Sequence, residues 1–535
     1  MRYRLLGLWM YGAVVVGAQE VPGSAAGGGV GAVPPPIPAP AKPAEPLPAT
    51  CAVVPGEWNG TTENLTRFTA PTWYRDAKLG FWSHWGPCVI GEGSDWYARH
   101  IYVQGNRSYN DHLRRFGHPS VFGYKDVIQL WKAERFDAPR LVDLYQKAGA
   151  RFIVSIAAHH DNFDLWDSRY HTWNAVNYGP KQDIVGAWAA AAKARGLPFG
   201  LSEHFNRTYS WFNTSHWSDK TGPLAGVPYD GNDPRYQDLY WEPHEDSRVS
   251  YPAKPPEVVG RDWFWRMRDL IDRYQPDFLY SDGGIPFGQV GRDLLASFYN
   301  ANAASHGGVS QAVYTIKDYP GHGEFLRGAA IHSLERGHMA GIQAEPWQCE
   351  QSVGPWFWQP GIDWATQSKR LLRDFVDIVS KNGTLLLNIP QRADGTLDPG
   401  GEQMLADWAA WMADCGPGIF GTRPWKVFGE GPVADAADKP KEKGTKPLPW
   451  TTADVRFTRS QDGATVYVFV MGVPTGDLRI RALGTQAGLW EGDIGRVERL
   501  GSSTPLTWTR TTEALVITVP PGVPERSVTG FAIRR

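Results

Sequence analysis

Cysteine is scarce in this sequence: four residues in 535, Cys51, Cys88, Cys349 and Cys415, all far apart. That excludes a disulfide-framework fold and any CxxC or Cys/His zinc module, and leaves room for one or two disulfides whose pairing the spacing does not give. A surplus of charge is missing too. Lysines and arginines number 54 against 56 aspartates and glutamates, a formal net charge of −2, and the basic residues are scattered. The electrostatic footprint that nucleic acid or an anionic membrane demands is therefore absent, and a neutral substrate fits better. No HxH or HExxH spacing occurs among the histidines, which argues against a metallohydrolase. No glycine-rich loop follows the first strand-like segment, so an open dinucleotide-binding sheet lacks its main signature. The start, "MRYRLLGLWMYGAVVVGAQE", is basic and then apolar over a stretch too short to span a bilayer comfortably, and it ends in small residues. It predicts a secretory signal over residues 1–18, a secreted or periplasmic location, and no other membrane involvement.

What the chain does have is aromatic surface. It carries 25 Trp, several beside histidines and carboxylates rather than in apolar runs. Flat aromatic faces of that kind suit the C–H faces of sugars, although a large core also consumes tryptophan. Residues 19–60 are rich in Pro, Ala and Gly and read as a tether that builds no core. Over residues 61–415, short apolar segments that turn polar at their C-terminal ends alternate with helical patterns: "LGFWSHWG", "RFIVSIAAHHDNF", "LPFGLSEHF", "DFLYSDGG", "AVYTIKD", "AAIHSLERG" and "TLLLNIPQ". Near-continuous apolar strands between amphipathic helices imply a parallel sheet covered by helices, and seven or eight such units predict a closed (β/α)8-type barrel. Residues 416–535 change to period-two alternation with Gly, Pro and Asp turns and read as a C-terminal β-sandwich, with "DKPKEKGTKPLP" an exposed loop inside it. Glycosylation sequons fall at Asn59, Asn64, Asn106, Asn206, Asn213 and Asn382.

In a (β/α)8 barrel the chemistry gathers at the C-terminal ends of the strands, which is where this chain puts its His, Asp and Glu residues. Asp282 ends the strand-like run "PDFLYSDGG", and the two glycines behind it allow a sharp turn and leave space for a ligand beside the carboxylate. Glu335 ends another strand in "HSLERG". Two carboxylates on neighbouring strand ends match the nucleophile and acid/base of a glycosidase, retaining if the pair stands about 5 to 5.5 Å apart. Capping by Asp282 and an ion pair between Glu335 and Arg336 or another barrel arginine are the plain structural alternatives. His84, His159, His160 and His204 follow strands. They fit hydrogen bonding to several hydroxyls of one sugar better than metal ligation, because adjacent histidines at a strand end point in different directions. No metal and no cofactor is expected.

The stretches "WYRDAKLGFWSHWGP", "GSDWYARHIY", "AHHDNFDLWDS", "PDFLYSDGG", "LERG…EPWQCEQSVGPWFW" and "DIVSKNGTLLLNIPQRADGTL" together resemble, in order and at matching spacing over about residues 66–425, the α-L-fucosidases of glycoside hydrolase family 29. The resemblance implies a retaining exo-enzyme that removes terminal L-fucose from a fucosylated glycan by way of a covalent glycosyl-enzyme, with a barrel, a β-sandwich and no cofactor. It implies Asp282 as nucleophile and Glu335 as acid/base, with Glu345 and Glu350 in reserve. His84, His159 and His160 match positions that hold sugar hydroxyls, and Trp96 and Trp356 would line the apolar face of the sugar. Three departures stand out. Asp95 replaces a Glu before Trp-Tyr, Asn162 replaces a Gly in "HHDGF", and Lys317 stands near where some members offer an arginine. An α-L-galactosidase is the alternative, because an apolar pocket discriminates poorly against an added hydroxyl. A barrel that only binds carbohydrate is the second.

Overall fold

The computed structural model describes residues 34–436 and 448–535. The expected signal, the first part of the tether and most of the lysine-rich loop lie outside the described residues. Eight parallel strands close into one barrel in chain order: β1 (Leu79–Ser83), β2 (Phe152–Ala158), β3 (Phe199–Glu203), β4 (Phe278–Ser281), β5 (Val313–Ile316), β6 (Ile331–Glu335), β7 (Trp347–Ser352) and β8 (Gly383–Asn388). β1 closes the ring against β8, with Phe81 opposite Leu387.

Seven of these strands are the apolar segments read from the sequence. β7 is the eighth. Its sequence, WQCEQS, carries too many polar groups to look buried, yet every residue of it is buried. Gln348 lies within reach of Tyr74 Oη and donates to Ser333 Oγ, and Glu350 accepts from Tyr280 and Ser333. Paired in this way, polar side chains can occupy a barrel interior without the cost of an unmet hydrogen bond.

The helical patterns also form. Asp183 caps the helix Ile184–Ala194 by accepting from Gly186 N, and Gly196 takes φ +64° just beyond its end. The helix Trp364–Ser380 buries Leu371, Leu372, Phe375, Ile378 and Val379 and is followed by Asn382 at φ +71°. At the N-terminal end of the barrel, Tyr74 from the short helix Thr72–Ala77 plugs the interior against Phe152 and Phe278. Gly80 belongs to this layer, because a Cβ there would stand 2.3 Å from the Phe152 ring. The lower barrel is thus filled, and the open end is the C-terminal one.

Although it forms no helix or strand, the described part of the stretch read as a tether is fastened to the barrel. Lys42 and Asn177 exchange two backbone-to-side-chain hydrogen bonds, and Asn300 Nδ2 donates to Val54 O and Trp58 O. None of the four cysteines is bridged. Three of the sequon asparagines, Asn206, Asn213 and Asn382, are buried and cannot carry a glycan as folded. No helix among the described residues is long and apolar enough to cross a membrane.

The C-terminal region packs a five-stranded antiparallel sheet, ordered β13-β16-β11-β10-β9, near a three-stranded one, β12-β15-β14. The strands are β9 (Arg423–Glu430), β10 (Val455–Arg459), β11 (Thr465–Val470), β12 (Gly476–Ile480), β13 (Arg496–Arg499), β14 (Thr507–Arg510), β15 (Leu515–Val519) and β16 (Thr529–Arg534). Phe457, Val468, Ile480, Leu515, Ile517 and Phe531 form their shared core. The seam with the barrel is built on Asp377, whose carboxylate accepts from Arg456 Nε at 2.6 Å; both side chains are fully buried. Burial alone would neutralise Asp377, but His338, Lys381 and Arg456 hold it ionised. Asp377→Ala would leave the Arg456 guanidinium buried without its carboxylate. The expected loss is about 3–5 kcal/mol of stability, seen as a lower thermal midpoint, whereas an unchanged midpoint would show that the seam does not depend on this pair.

Candidate active site

Asp282 follows β4 directly and sits at the open end of the barrel. Lys317, just beyond β5, places its Nζ 2.9 Å from Asp282 Oδ1, and Arg207, beyond β3, places Nη2 2.7 Å from Asp282 Oδ2. His204 Nδ1 and His160 Nε2 approach the same Oδ2 at 3.5 and 3.7 Å. Burial by itself would raise the pKa of Asp282. Arg207, Lys317 and His204 overcome it and hold the carboxyl well below the usual carboxylate range. Asp282 is therefore ionised and hydrogen-bonded from several sides.

The glycines behind Asp282 serve a different purpose from the one expected. Gly283 has φ +150°, and a Cβ there would lie 2.5 Å from Tyr251 Oη and 2.7 Å from His322 O. Gly284 donates to His322 O at 2.6 Å, and its Cβ would collide with the Glu324 backbone. The space is taken by the β5–β6 loop pressing against the turn, not by room for a ligand.

Glu335 is the last residue of β6. Its Oε2 lies 3.0 Å from Lys317 Nζ and its Oε1 accepts from Trp356 Nε1 at 3.2 Å. The ion pair anticipated with Arg336 is thus made with Lys317. Lys317 also reaches a third carboxylate, Glu350 Oε2, at 3.1 Å, and is itself 1% exposed. Because one ammonium touches both, the nearer oxygens of Asp282 and Glu335 are at most about 6 Å apart, the range of paired glycosidase carboxylates.

The three carboxylates differ in their surroundings. The Glu335 side chain is 31% exposed and that of Glu350 only 1%. Tyr280 Oη stands 2.6 Å from Glu350 Oε2 and 3.3 Å from Asp282 Oδ1, and Ser333 Oγ donates to Glu350 Oε1 at 2.8 Å. Burial pushes the Glu350 pKa up to about 7 against the pull of Lys317. Glu345 is exposed in the segment that enters β7 from its N-terminal end, which removes it as a candidate.

The histidines form one buried wall. The ring of His84 lies 5.0 Å from that of His204 and 4.7 Å from that of Trp356; the His159 ring lies 4.2 Å from His160. Burial lowers the pKa of all four histidines, so they are neutral donor–acceptor groups. His160 Nδ1–H donates to His204 O at 2.7 Å, leaving Nε2 toward Asp282, and His204 Nε2 meets Ser202 Oγ at 2.8 Å. His159 Nδ1 is buried with no hydrogen-bond partner among the described residues, a group placed for a ligand.

Adjacency in sequence does not separate these rings as expected: ligand atoms of His159, His160 and His204 lie within 4.8 Å of one another. A divalent cation there would nevertheless stand beside the ammonium of Lys317 and the guanidinium of Arg207, both already bound to Asp282. The donor set suits neutral hydroxyls better.

Trp96 meets the edges of Trp211 and His160, at 5.8 and 6.2 Å between ring centres, and Trp356 covers the opposite side beside His84 and Glu335. Asp95, half-buried, has its pKa raised to about 6, first by desolvation and then by the charges of Glu335 and Asp282. Asn162 adopts φ +57°, a left-handed conformation that asparagine tolerates and glycine favours. Its amide donates to Leu239 O and accepts from Arg266, so the departure from glycine keeps the backbone and adds a brace.

Every residue expected at the site is brought to it: His84, Asp95, Trp96, His159, His160, His204, Asp282, Lys317, Glu335 and Trp356. Sequence reasoning missed Arg207 and Tyr280, and held Glu350 only in reserve. Arg207 lies inside the sequon "NRT", which drew attention to its neighbour Asn206. Asn206 in fact donates to Glu203 and Ser281 beneath the site. Tyr280 looked like one more apolar strand residue.

Comparison with known proteins agrees with this geometry. The sequence profile of the family described as Alpha-L-fucosidase matches residues 49–417. The plasma alpha-L-fucosidase of Homo sapiens is 26% identical over 400 residues, covering 72% of this chain and 76% of its own length. Among solved structures, the Thermotoga maritima alpha-fucosidase in complex with fucose superposes with a TM-score of 0.66 at 22% identity, covering 89% of this chain and 100% of that one. A Bacteroides thetaiotaomicron alpha-L-fucosidase trapped as a covalent intermediate superposes with a TM-score of 0.57 at 15% identity, covering 92% and 100%. With the family profile spanning most of the chain and both carboxylates at the mouth of the barrel, the protein is a glycoside hydrolase that belongs to the alpha-L-fucosidase family.

Proposed function

We propose that the protein is a retaining, exo-acting α-L-fucosidase in which Asp282 is the nucleophile and Glu335 the acid/base. The observation that carries this reading is the shared Lys317 ammonium, 2.9 Å from Asp282 and 3.0 Å from Glu335. Asp282 is also paired with Arg207, and Arg207, Lys317 and His204 hold its carboxyl well below the usual carboxylate range. Glu335, the more exposed of the two glutamates, is the one a leaving oxygen can reach. Glu350 is shut in behind Tyr280 and Ser333, and burial raises its pKa to about 7.

In the first step Asp282 attacks the anomeric carbon as Glu335 gives its proton to the departing oxygen. Asp282 loses its charge as an ester at the moment Glu335 gains one. Lys317 contacts both, so the charge around the ammonium is conserved and little reorganisation is needed. Glu335 then takes a proton from water, which attacks the same carbon and releases the sugar with its configuration retained. The neutral histidines and the open Nδ1 of His159 bind ring hydroxyls, while Trp96 and Trp356 pack on its C–H faces. The covalent intermediate named for the Bacteroides thetaiotaomicron protein supports this reading, as does the fucose named for the Thermotoga maritima complex. The basic and then apolar start of the chain supports action outside the cytoplasm.

Hydrolysis of aryl α-L-fucoside beside aryl α-L-galactoside tests the sugar: the fucoside is expected to turn over faster, and the reverse order would make the protein an α-L-galactosidase. Asp282→Ala should lower kcat by about four orders of magnitude, with added azide restoring turnover and yielding the β-fucosyl azide. Unimpaired turnover in that variant would remove Asp282 as nucleophile. Incubation with EDTA should leave activity unchanged, and a loss restored by zinc would instead assign the histidine wall to a metal. The raised pKa of Glu350 makes the folded state favour the protonated form. Its contribution to stability is full below the ordinary glutamate value of about 4.5 and is lost as pH rises through about 7. Thermal midpoints of Glu350→Gln should therefore fall less than wild type across that window; parallel profiles would mean Glu350 is ionised throughout.

A further inference from the structure

Arg336, the residue after Glu335, lines an open cavity of about 440 Å³ between the turn that follows β6, the end of β7 and the helix Trp364–Ser380. Arg336, His338, Gln351, Gln367 and Arg370 line it, and no carboxylate does. The fucose pocket uses none of these residues. Resting on the fucosidase reading above, we propose that this cavity is the leaving-group subsite and that it takes an anionic sugar, one bearing a sulfate ester or a carboxylate.

The argument begins with direction. The oxygen that Glu335 protonates belongs to the leaving group, so whatever that oxygen carries extends past Glu335 and away from the His84–His159–His204 wall. Arg336 is the next residue in the chain and has φ +50°; its N–H donates to Glu350 O at 2.8 Å, which fixes the turn. Its guanidinium lies 5.1 Å from the centre of the Trp356 ring, and Trp356 is hydrogen-bonded through Nε1 to Glu335 Oε1. The cationic wall and the acid thus share one indole. A pyranose that follows the scissile oxygen meets Trp356 and then Arg336.

Charge supplies the ligand class. Arg336 spends one side-chain N–H on Gly354 O, and no carboxylate pairs with it among the described residues. Most of its fork faces open space and suits the planar oxygens of a carboxylate or sulfate. Arg370 is held upright by Asp374 at 2.6 Å and by Gln367, and His338 Nδ1 lies 3.5 Å from Asp377 Oδ2. Those aspartates stand on the helix Trp364–Ser380, which leaves Arg336 as the lining guanidinium with no carboxylate partner among the described residues. The cavity is of a size for a monosaccharide.

The test measures kcat/KM for aryl α-L-fucoside and for three fucosyl disaccharides whose leaving sugar is neutral, sulfated or a uronic acid. Wild type should prefer at least one acidic disaccharide over the neutral one by about tenfold at low salt, and the preference should shrink as salt is added. Which acidic arm is preferred distinguishes sulfate from carboxylate. Arg336→Gln and Arg370→Gln should each bring the acidic-to-neutral ratio toward one. A wild-type ratio within twofold of one, or a ratio that survives both substitutions, overturns the proposal while leaving aryl fucoside turnover, and so the fucosidase reading, intact. Failure to turn over any fucoside overturns both.

Discussion

A single buried ammonium organises the centre of this protein. Lys317 is 1% exposed and stands within about 3 Å of three carboxylates, one just beyond β4, one at the end of β6 and one within β7. Removing a lysine from water is costly, and only close, well-shaped counter-charges repay it. The neighbouring strands must therefore bring their carboxylates within contact of one ammonium, and the rest of the barrel can be understood as the support for that placement. The result is an ionised, fully paired Asp282 beside a Glu335 that stays partly exposed, two carboxylates held in different surroundings by one ammonium.

The support extends below the reacting groups. Glu203, at the end of β3, is buried, and burial raises its pKa to about 7 against its hydrogen bonds with Ser281 and Asn206. It accepts from Ser281 Oγ at 2.7 Å and Asn206 Nδ2 at 2.8 Å, and Asp282 N donates to its backbone oxygen. The position of Asp282 is thus set by the strand before it as well as by its own. On the other side, Asn388 at the end of β8 accepts from His84 N and donates to Trp356 O, tying the histidine wall to the aromatic cover. These polar groups are inside the barrel and paired, which gives them rigidity that a loop-borne site would lack.

How legible this was in the sequence depended on what kind of signal each residue left. Asp282 could be found because a carboxylate ending an apolar run is anomalous in isolation, and His159 and His160 because two adjacent histidines at a strand end are rare. The seven apolar strands announced themselves by hydrophobicity. β7 did not, because its polar side chains are satisfied by partners far away in the chain, and local composition carries no record of those partners. Arg207 was silent for the same reason: an arginine after a strand is ordinary until Asp282 is seen 2.7 Å away. The glycines after Asp282 were rightly read as a tight turn, but what crowds that turn, the backbone at His322 and Glu324, is 40 residues further along.

The sequence by itself determined the class of fold, the end of the barrel where chemistry gathers, and the residue types available there. These follow from periodicity and chain order, which are local properties that act through hydrophobic burial and backbone geometry. Only the tertiary structure decided which of three carboxylates is held ionised, which is exposed and which is buried, and it also decided that Lys317 joins them and that Arg336 lies over Trp356. The physical reason is that ionisation and pairing depend on distance and desolvation, and both are set when strands remote in sequence close into one ring.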